Sequence, residues 1–313
     1  MDKKKINSFI TGGAGFIGSR LAHKLSERGQ IRCYDNLSTG RKENTSMLYQ
    51  GDICDLEKLT HAMKFYNIVW HLAANTNTRA GITNPRLDMY NNLIGTYNVL
   101  LAMKANNIKY LVYSSTCGVY GEAPEVKVET DELAPICPYA HMKMLSELVV
   151  EDFVRKNDMK AWVFRFGNVI GGIMQNGVIR DLVLKLKEDK SKLEVLGSKK
   201  PSRPFLTVDD CVDAMIFAFD NTDNIYDVFN IASNGSVNVG QIVKELLAQT
   251  NLTIPVTYEE QDRGWEGSAI EVCISPEKLK NLGWEAQTSS KTAVKKAIKE
   301  IMEYNKLEAK ESR

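Results

Sequence analysis

Tyr139 and Lys143 stand four residues apart in the run Tyr-Ala-His-Met-Lys. On a helix, that spacing sets the two side chains on one face, a turn apart. A free tyrosine titrates at about 10, too high for a base near neutrality. An ammonium within a turn favours the phenolate and lowers that value. The two residues are therefore a candidate base and its tuner. Thr116 closes the run Ser114-Ser115-Thr116 and is placed to hydrogen-bond the same substrate hydroxyl. A tyrosine and lysine at this spacing also occur as an ordinary surface pair, so their weight depends on the elements around them.

The stretch from Ile6 to Asp35 supplies that context. An apolar run, Ile6 to Ile10, predicts a buried strand. Gly12, Gly13, Gly15 and Gly18 follow, and Phe16, Ile17, Leu21 and Leu25 fall at helical spacing. A second apolar run from Ile31 ends in Asp35. Strand, glycine turn, helix, strand and acid in that order read as a dinucleotide site. Gly13 and Gly15 let the backbone turn and approach a pyrophosphate, and Gly18 lets helix and strand pack closely. The Asp35 carboxylate suits an adenosine ribose and repels a 2′-phosphate, which favours NAD over NADP.

Strand and helix signals alternate through the first half, predicting a parallel sheet with helices on both faces. Strands are expected at Met47–Gln50, Ile68–Leu72, Tyr110–Ser114 and Ala161–Phe166. Helices are expected at Leu56–Lys64, from an Asn84 cap and Pro85 to about Asn106, and from Tyr139 to Lys156. The glycine turn, Asp35, Asp52-Ile53, Leu72 to Ala74 and Ser114 to Cys117 all fall at carboxyl ends of strands, where one crevice can collect them. The second half is expected to interleave pieces that complete the sheet, such as Val228–Ile231, with pieces of a smaller lid. The charged tail from about Lys306 reads as frayed.

Lysine plus arginine number 40 and aspartate plus glutamate 39, which argues against a general nucleic-acid binder. No apolar run reaches the roughly 20 residues of a membrane helix. The charged lead Met1–Lys5 does not read as a signal peptide. The six cysteines and four histidines are scattered, without metal-ligand spacing. The expectation is reduced thiols, a cytoplasmic protein and no metal.

The motifs Thr11 to Gly18 (T-G-G-A-G-F-I-G), Asp35 to Gly40 (D-N-L-S-T-G), Gly51 to Ile53, His71 to Ala74 (H-L-A-A), Ser114 to Gly121 (S-S-T-C-G-V-Y-G), Y-x-x-x-K and Arg165 to Val169 (R-F-G-N-V) together resemble the extended short-chain dehydrogenase/reductase family. More narrowly, they resemble its nucleotide-sugar epimerases and dehydratases. The resemblance implies an α/β Rossmann-type doubly wound parallel sheet with a smaller, interleaved C-terminal substrate-binding domain. Residues 1–167 and 205–235 would form the NAD-binding domain, and 168–204 and 236–313 the nucleotide-sugar-binding domain. It further implies tightly held NAD, a nucleoside-diphosphate sugar (a UDP-hexose by preference) and a homodimer built on a four-helix interface.

Carried over by position, the resemblance assigns the pyrophosphate to Gly12, Gly15, Phe16, Ile17 and Gly18. It assigns the adenosine ribose to Asp35, Asn36 and Ser38, and the adenine flanks to Asp52 and Ile53. Leu72, Ala73 and Ala74 line the cofactor, with Asn92 and Ser114 beside it. Tyr139 and Lys143 are the catalytic pair, with Thr116 and Cys117 next to the sugar. Asn168, Arg203 and Arg263 match positions that hold the sugar nucleotide. Arginine's planar fork suits a diphosphate.

Two reactions stay open at this stage. Related 4,6-dehydratases carry Asp-Glu after the threonine, where this chain has Cys117 and Gly118. Glycine cannot take a proton, so epimerisation at C4 through a transient 4-keto sugar is the main expectation. A 4,6- or 5,6-dehydratase using Cys117 as acid or base is the alternative. A non-catalytic NAD-binding protein and a dehydrogenase that releases NADH are further readings. Small Val272, by its alignment near Ser275-Pro276, leaves room for an N-acetylated sugar.

Overall fold

The computed structural model describes residues 5–306; the expectation of a frayed tail from about Lys306 falls almost wholly outside them. Seven parallel strands form the central sheet. Their order is Tyr226–Ile231, Lys160–Phe166, Tyr110–Thr116, Ile68–His71, Ser8–Thr11, Ile31–Asp35, Leu48–Gln50. The chain winds outward from Ser8–Thr11 in one direction, then returns to build the other half from Ile68–His71. The reversal leaves a crevice between these two strands at their carboxyl ends, which is where ligands sit in such sheets.

Alternation along the strands explains the two cores. Ile10, Trp70, Val112, Trp162 and Phe164 face one side and pack on Leu21 and Leu25 of the helix Phe16–Leu25 and Met215 and Phe219 of the helix Val208–Asn221. Phe9, Val69, Leu111 and Val163 face the other and pack on Leu59, Val99, Met103, Val150 and Phe153. Strands buried on both faces read as continuous apolar runs, as these do.

Residues from Ile170 to Met302 build a third cluster, in which Ile179, Val183 and Leu186 meet Ile242, Leu246, Ile298 and Ile301. Four two-stranded pairs interleave the halves. Asn168–Ile170 joins Phe205–Thr207, Leu193–Val195 joins Val256–Tyr258, Ala123–Lys127 joins Val272–Ile274, and Ser202–Arg203 joins Val237–Asn238. These strands are too short to show a period in the sequence. Tyr226–Ile231 pairs with Lys160–Phe166 at the sheet edge, where Val228–Ile231 was expected to complete it.

The long helix expected from Asn84 differs in two ways. Asn84 stands at the N-cap position and Pro85 opens the helix as expected, but the Asn84 side chain makes no cap bond, and a separate helix, Thr78–Thr83, precedes it, capped by Asn77, which accepts from Ala80 N. From Pro85 the chain is helical to Ala105, but Met89–Ile94 is a turn of π-helix. The Asn92 carbonyl accepts from Thr96 Oγ1 at 2.6 Å and from Ser146 Oγ at 2.8 Å on the helix Pro138–Lys156. The second bond ties the widened turn to the helix that carries Tyr139 and Lys143.

Candidate active site

Gly12 has φ +69, and a methyl group on it would lie 2.7 Å from the amide nitrogen of Ala73. A methyl group on Gly18 would lie 2.2 Å from the Gly12 carbonyl oxygen. Only glycine lets the turn, the helix and the Leu72–Ala74 segment approach this closely. The helix Phe16–Leu25 starts at Gly15 with no side-chain cap, so its first N–H groups stay available to an anion. Asp35 accepts from Ala14 N at 3.0 Å and Leu37 N at 2.8 Å, which fastens the glycine turn to the second strand. Burial raises the Asp35 pKa, and these two amides pull it back.

One cavity of about 250 Å³ collects most of the expected residues. Gly12, Gly15, Phe16, Ile17, Gly18, Asp35, Asn36, Ser38, Ile53, Leu72, Ala73, Ala74, Ser114, Tyr139 and Lys143 line it. Two expected cofactor residues do not. Asp52 stands behind the wall, accepting from Asn36 Nδ2 at 2.9 Å and Cys54 N at 2.8 Å. Asn92 is buried, and its Oδ1 accepts from Asn75 N at 2.7 Å, just beyond the lining segment. Asp52 thereby holds the lining residue Asn36, and Asn92 holds the residue that follows Ala74.

A directed chain of hydrogen bonds supports the same wall. Thr96 donates its one hydroxyl proton to Asn92 O, so His71 Nε2 must donate to Thr96 Oγ1 (2.9 Å). His71 Nδ1 then accepts from Thr11 Oγ1 (2.7 Å), and Thr11 Oγ1 accepts from Ala73 N (3.2 Å). His71 is fully buried, and burial, followed by the Lys143 charge, lowers its pKa to about 3. It is a neutral brace.

Lys143 is buried beside Tyr139, and its Nζ donates to the Ser114 carbonyl at 2.7 Å. Burial lowers its pKa to about 7, against the opposing pull of Glu147 and Asp88. Burial pushes the Tyr139 phenol up, and Asp88, Cys137 and Cys117 push the same way. Lys143 is fastened to the neighbouring strand through Ser114.

Thr116 and Cys117 lie at the carboxyl end of the strand but are not among the cavity's lining residues. Thr116 Oγ1 accepts from Gly118 N at 3.1 Å. Burial raises the Cys117 thiol to about 11, with Arg203 opposing. Arg203 NH1 donates to Ile270 O at 2.6 Å, and its NH2 donates to Ala269 O. Arg263 donates to Ser268 O at 3.0 Å and to Glu122 Oε2 at 3.0 Å. Both arginines therefore grip the loop 263–271. Asn168 opens the short strand beside Phe205. Val272 is buried against Cys117 and Tyr120 and is not a lining residue.

Several lining residues had no signal in the sequence. Gln175 and Asn176 reach the cavity from a loop, where Gln175 Oε1 accepts from Arg41 NH2 at 3.4 Å and Asn176 Nδ2 donates to Thr76 Oγ1 at 3.3 Å. Glu147 and Arg165 form a buried ion pair at 2.7 Å between the helix Pro138–Lys156 and the strand Lys160–Phe166. Ser115 Oγ also donates to Glu147, and Arg165 NH1 donates to Tyr120 OH at 2.8 Å. The Arg-Phe-Gly-Asn-Val motif was visible, but the role of its arginine was not.

The pattern of the NAD dependent epimerase/dehydratase family matches residues 8–232, which includes the glycine turn, Tyr139 and Lys143. The chain belongs to the NAD-dependent epimerase/dehydratase family. Within that family it is similar to a putative UDP-glucose 4-epimerase of Methanocaldococcus jannaschii, 29% identical over 302 residues that cover 92% of this chain and 96% of the relative. The fold superposes on the UDP-glucose 4-epimerase of Thermotoga maritima, solved with UDP-glucose. The TM-score is 0.86 at 30% identity, over 95% of this chain and 99% of that one. It also superposes on a UDP-N-acetylglucosamine 4-epimerase of Methanobrevibacter ruminantium, solved with UDP-N-acetylmuramic acid, with TM-score 0.85 at 25% identity over 96% and 99% of the two chains. NAD is the cofactor by which this family is defined.

Proposed function

We propose that the protein interconverts UDP-hexoses at C4, with Tyr139 as the proton-transfer group and Lys143 as its charge partner. The observation that carries this reading is the convergence of Tyr139 and Lys143 on the cavity formed by the glycine turn and Asp35, with Gly118 where a dehydratase would need a carboxylate. The relatives named above support it.

The residues present fit NAD. A backbone cradle that tolerates no Cβ at Gly12 or Gly18 would hold the pyrophosphate on the uncapped helix start. Asp35, Asn36 and Ser38 would hold the adenosine ribose, and Ile53 would flank the adenine. Leu72 to Ala74 and Ser114 would line the rest. When bound, NAD supplies a hydride acceptor, a reductant on the way back, and positive charge near the phenol.

The chain's own residues do the remainder. Tyr139 takes the proton of the sugar's O4 as C4 is oxidised and returns it as C4 is reduced on the other face. Lys143, buried and pinned to Ser114, offers its positive charge to the phenolate without drifting. Thr116 orients the hydroxyl. Arg203 and Arg263 would exchange loop carbonyls and Glu122 for a diphosphate, and Asn168 would contact the same ligand. Cys117 packs beneath the sugar as a protonated thiol, which disfavours its use as a base.

Residues 1–167 with 205–235 would serve the cofactor, and 168–204 with 236–313 the sugar nucleotide. Tyr90, Tyr97, Leu145 and Leu148 are exposed on the two long helical runs and support a homodimer through that face. All six cysteines are unpaired, which supports a cytoplasmic location. No helix among the described residues is long and apolar enough to cross a membrane.

The test is proton NMR of purified protein with UDP-glucose and, separately, UDP-N-acetylglucosamine. The galacto epimer is expected without added NADH. A 4-keto or unsaturated product would replace the assignment with a dehydratase. Turnover of the acetylated sugar would support the room left by Val272, and its rejection would refute it.

A further inference from the structure

Asp88 ends the short helix Pro85–Asp88, and its side chain is completely buried. The fold treats its two oxygens differently. Oδ1 accepts from Asn75 Nδ2 at 2.8 Å and Asn92 Nδ2 at 3.1 Å. Oδ2 has no hydrogen-bond partner. It faces Gly81, where a methyl group would lie 2.0 Å away. Residue 81 must therefore be glycine if the carboxyl group is to keep this seat.

A buried carboxylate with an unpaired oxygen is costly unless a charge compensates it. The helix Pro138–Lys156, which carries Lys143, packs against Pro85–Asp88 and the π turn. Burial raises the Asp88 pKa, and the Asn75 and Asn92 amides, followed by the Lys143 charge, draw it back. In return, Asp88 raises the pKa of both Lys143 and Tyr139. The other titratable groups around the pair are Glu147 one turn on, Cys137 ahead of the helix, Cys117 and neutral His71.

We propose that Asp88 is a positioning residue for the catalytic pair: clamped by Asn75 and Asn92 and seated against Gly81, its carboxylate is the counter-charge that keeps Lys143 an ammonium and opposes ionisation of Tyr139. This rests on reading Tyr139 and Lys143 as the catalytic pair. The consequence is a linked pH range. Removing the negative charge lowers both pKa values, because the phenolate becomes easier to form and the ammonium easier to lose. The Lys143 midpoint should therefore move to lower pH, and any limb of the kcat/KM profile set by either group should move the same way.

The experiment is Asp88→Asn, which keeps the shape and removes the charge. Two readouts are taken. One is the pH profile of kcat/KM with UDP-glucose. The other is the carbon-13 NMR titration of lysine Cε, with the Lys143 signal assigned by its loss in Lys143→Arg. Because Lys143 titrates at about 7 in the unmodified chain, its midpoint is within easy range. In D88N the Lys143 midpoint is expected to fall by roughly one pH unit or more, and the kcat/KM profile to shift in the same direction. A Lys143 midpoint equal in the two proteins overturns the proposal, even if kcat has dropped. Should D88N not fold, Gly81→Ala displaces the carboxyl group while leaving its charge in the chain. The Lys143 midpoint should then move as well, and an unmoved midpoint overturns the idea. The NMR titration needs no substrate, so it stands or falls independently of the reaction assigned to the site.

Discussion

Lys143 Nζ donates to the main-chain carbonyl of Ser114 across 2.7 Å. The bond joins the helix Pro138–Lys156 to the strand that ends in Thr116 and holds the Lys143 side chain in place. Tyr139→Phe removes the proton-transfer group without touching this bond. Turnover should fall by about 10² to 10⁴. Fold and NAD content, read by circular dichroism and by nucleotide released in acid, should not change. Residual activity within about tenfold of the parent would remove Tyr139 from the mechanism.

The Glu147–Arg165 pair, at 2.7 Å and buried, is the second fastening of that helix. Glu147→Ala would strand the guanidinium among Tyr120 and the Glu129 carbonyl. The expected loss is about 3–5 kcal/mol in urea unfolding. A loss under about 1 kcal/mol would class the pair with exposed salt bridges.

His71 carries a pH signature. Its folded pKa is lowered from 6.5 to about 3 by burial and then by Lys143. Between these values the unfolded chain binds a proton that the folded chain refuses. Stability therefore rises with pH through this window and is lost as pH falls below 6.5. The slope approaches about 1.4 kcal/mol per pH unit. Urea unfolding at pH values just above and below the upper limit, before most carboxylates titrate, measures it. A flat profile there would mean that His71 is not held neutral.

Asp35→Ala should weaken NAD by roughly 10- to 100-fold, the size of a charge-assisted hydrogen bond. It should also narrow the gap to NADP, because the repulsion of a 2′-phosphate is gone. Calorimetric titration of protein stripped of nucleotide gives both constants. An unchanged NAD affinity would place the ribose elsewhere.

Cys117→Ala should leave epimerisation within several-fold of the parent, since burial keeps the thiol protonated up to about 11. Product NMR on this variant decides the chemistry: abolished turnover would restore the dehydratase reading.

Local features of the chain were enough for much of this. The glycine turn, Asp35 and the Tyr139–Lys143 spacing are short-range patterns, and their residue types carry their chemistry with them. Strands buried on both faces betray themselves as apolar runs, which made the doubly wound sheet legible. One local detail failed. Asn84 stands at the N-cap position ahead of Pro85, as expected, but its side chain makes no cap bond there.

Sequence alone determined the glycine turn, the position of Asp35 and the spacing of Tyr139 and Lys143, because adjacency and period specify a turn, a helix face and a strand end. Only the folded chain decided that Lys143 binds Ser114, that Glu147 meets Arg165 and that Asp88 is sealed against Gly81. It also decided that Gln175 and Asn176 reach over to Arg41 and Thr76. These contacts join residues on separate segments of the chain. All of them depend on how helices seat on the sheet, and that packing leaves no mark in the local order of residues.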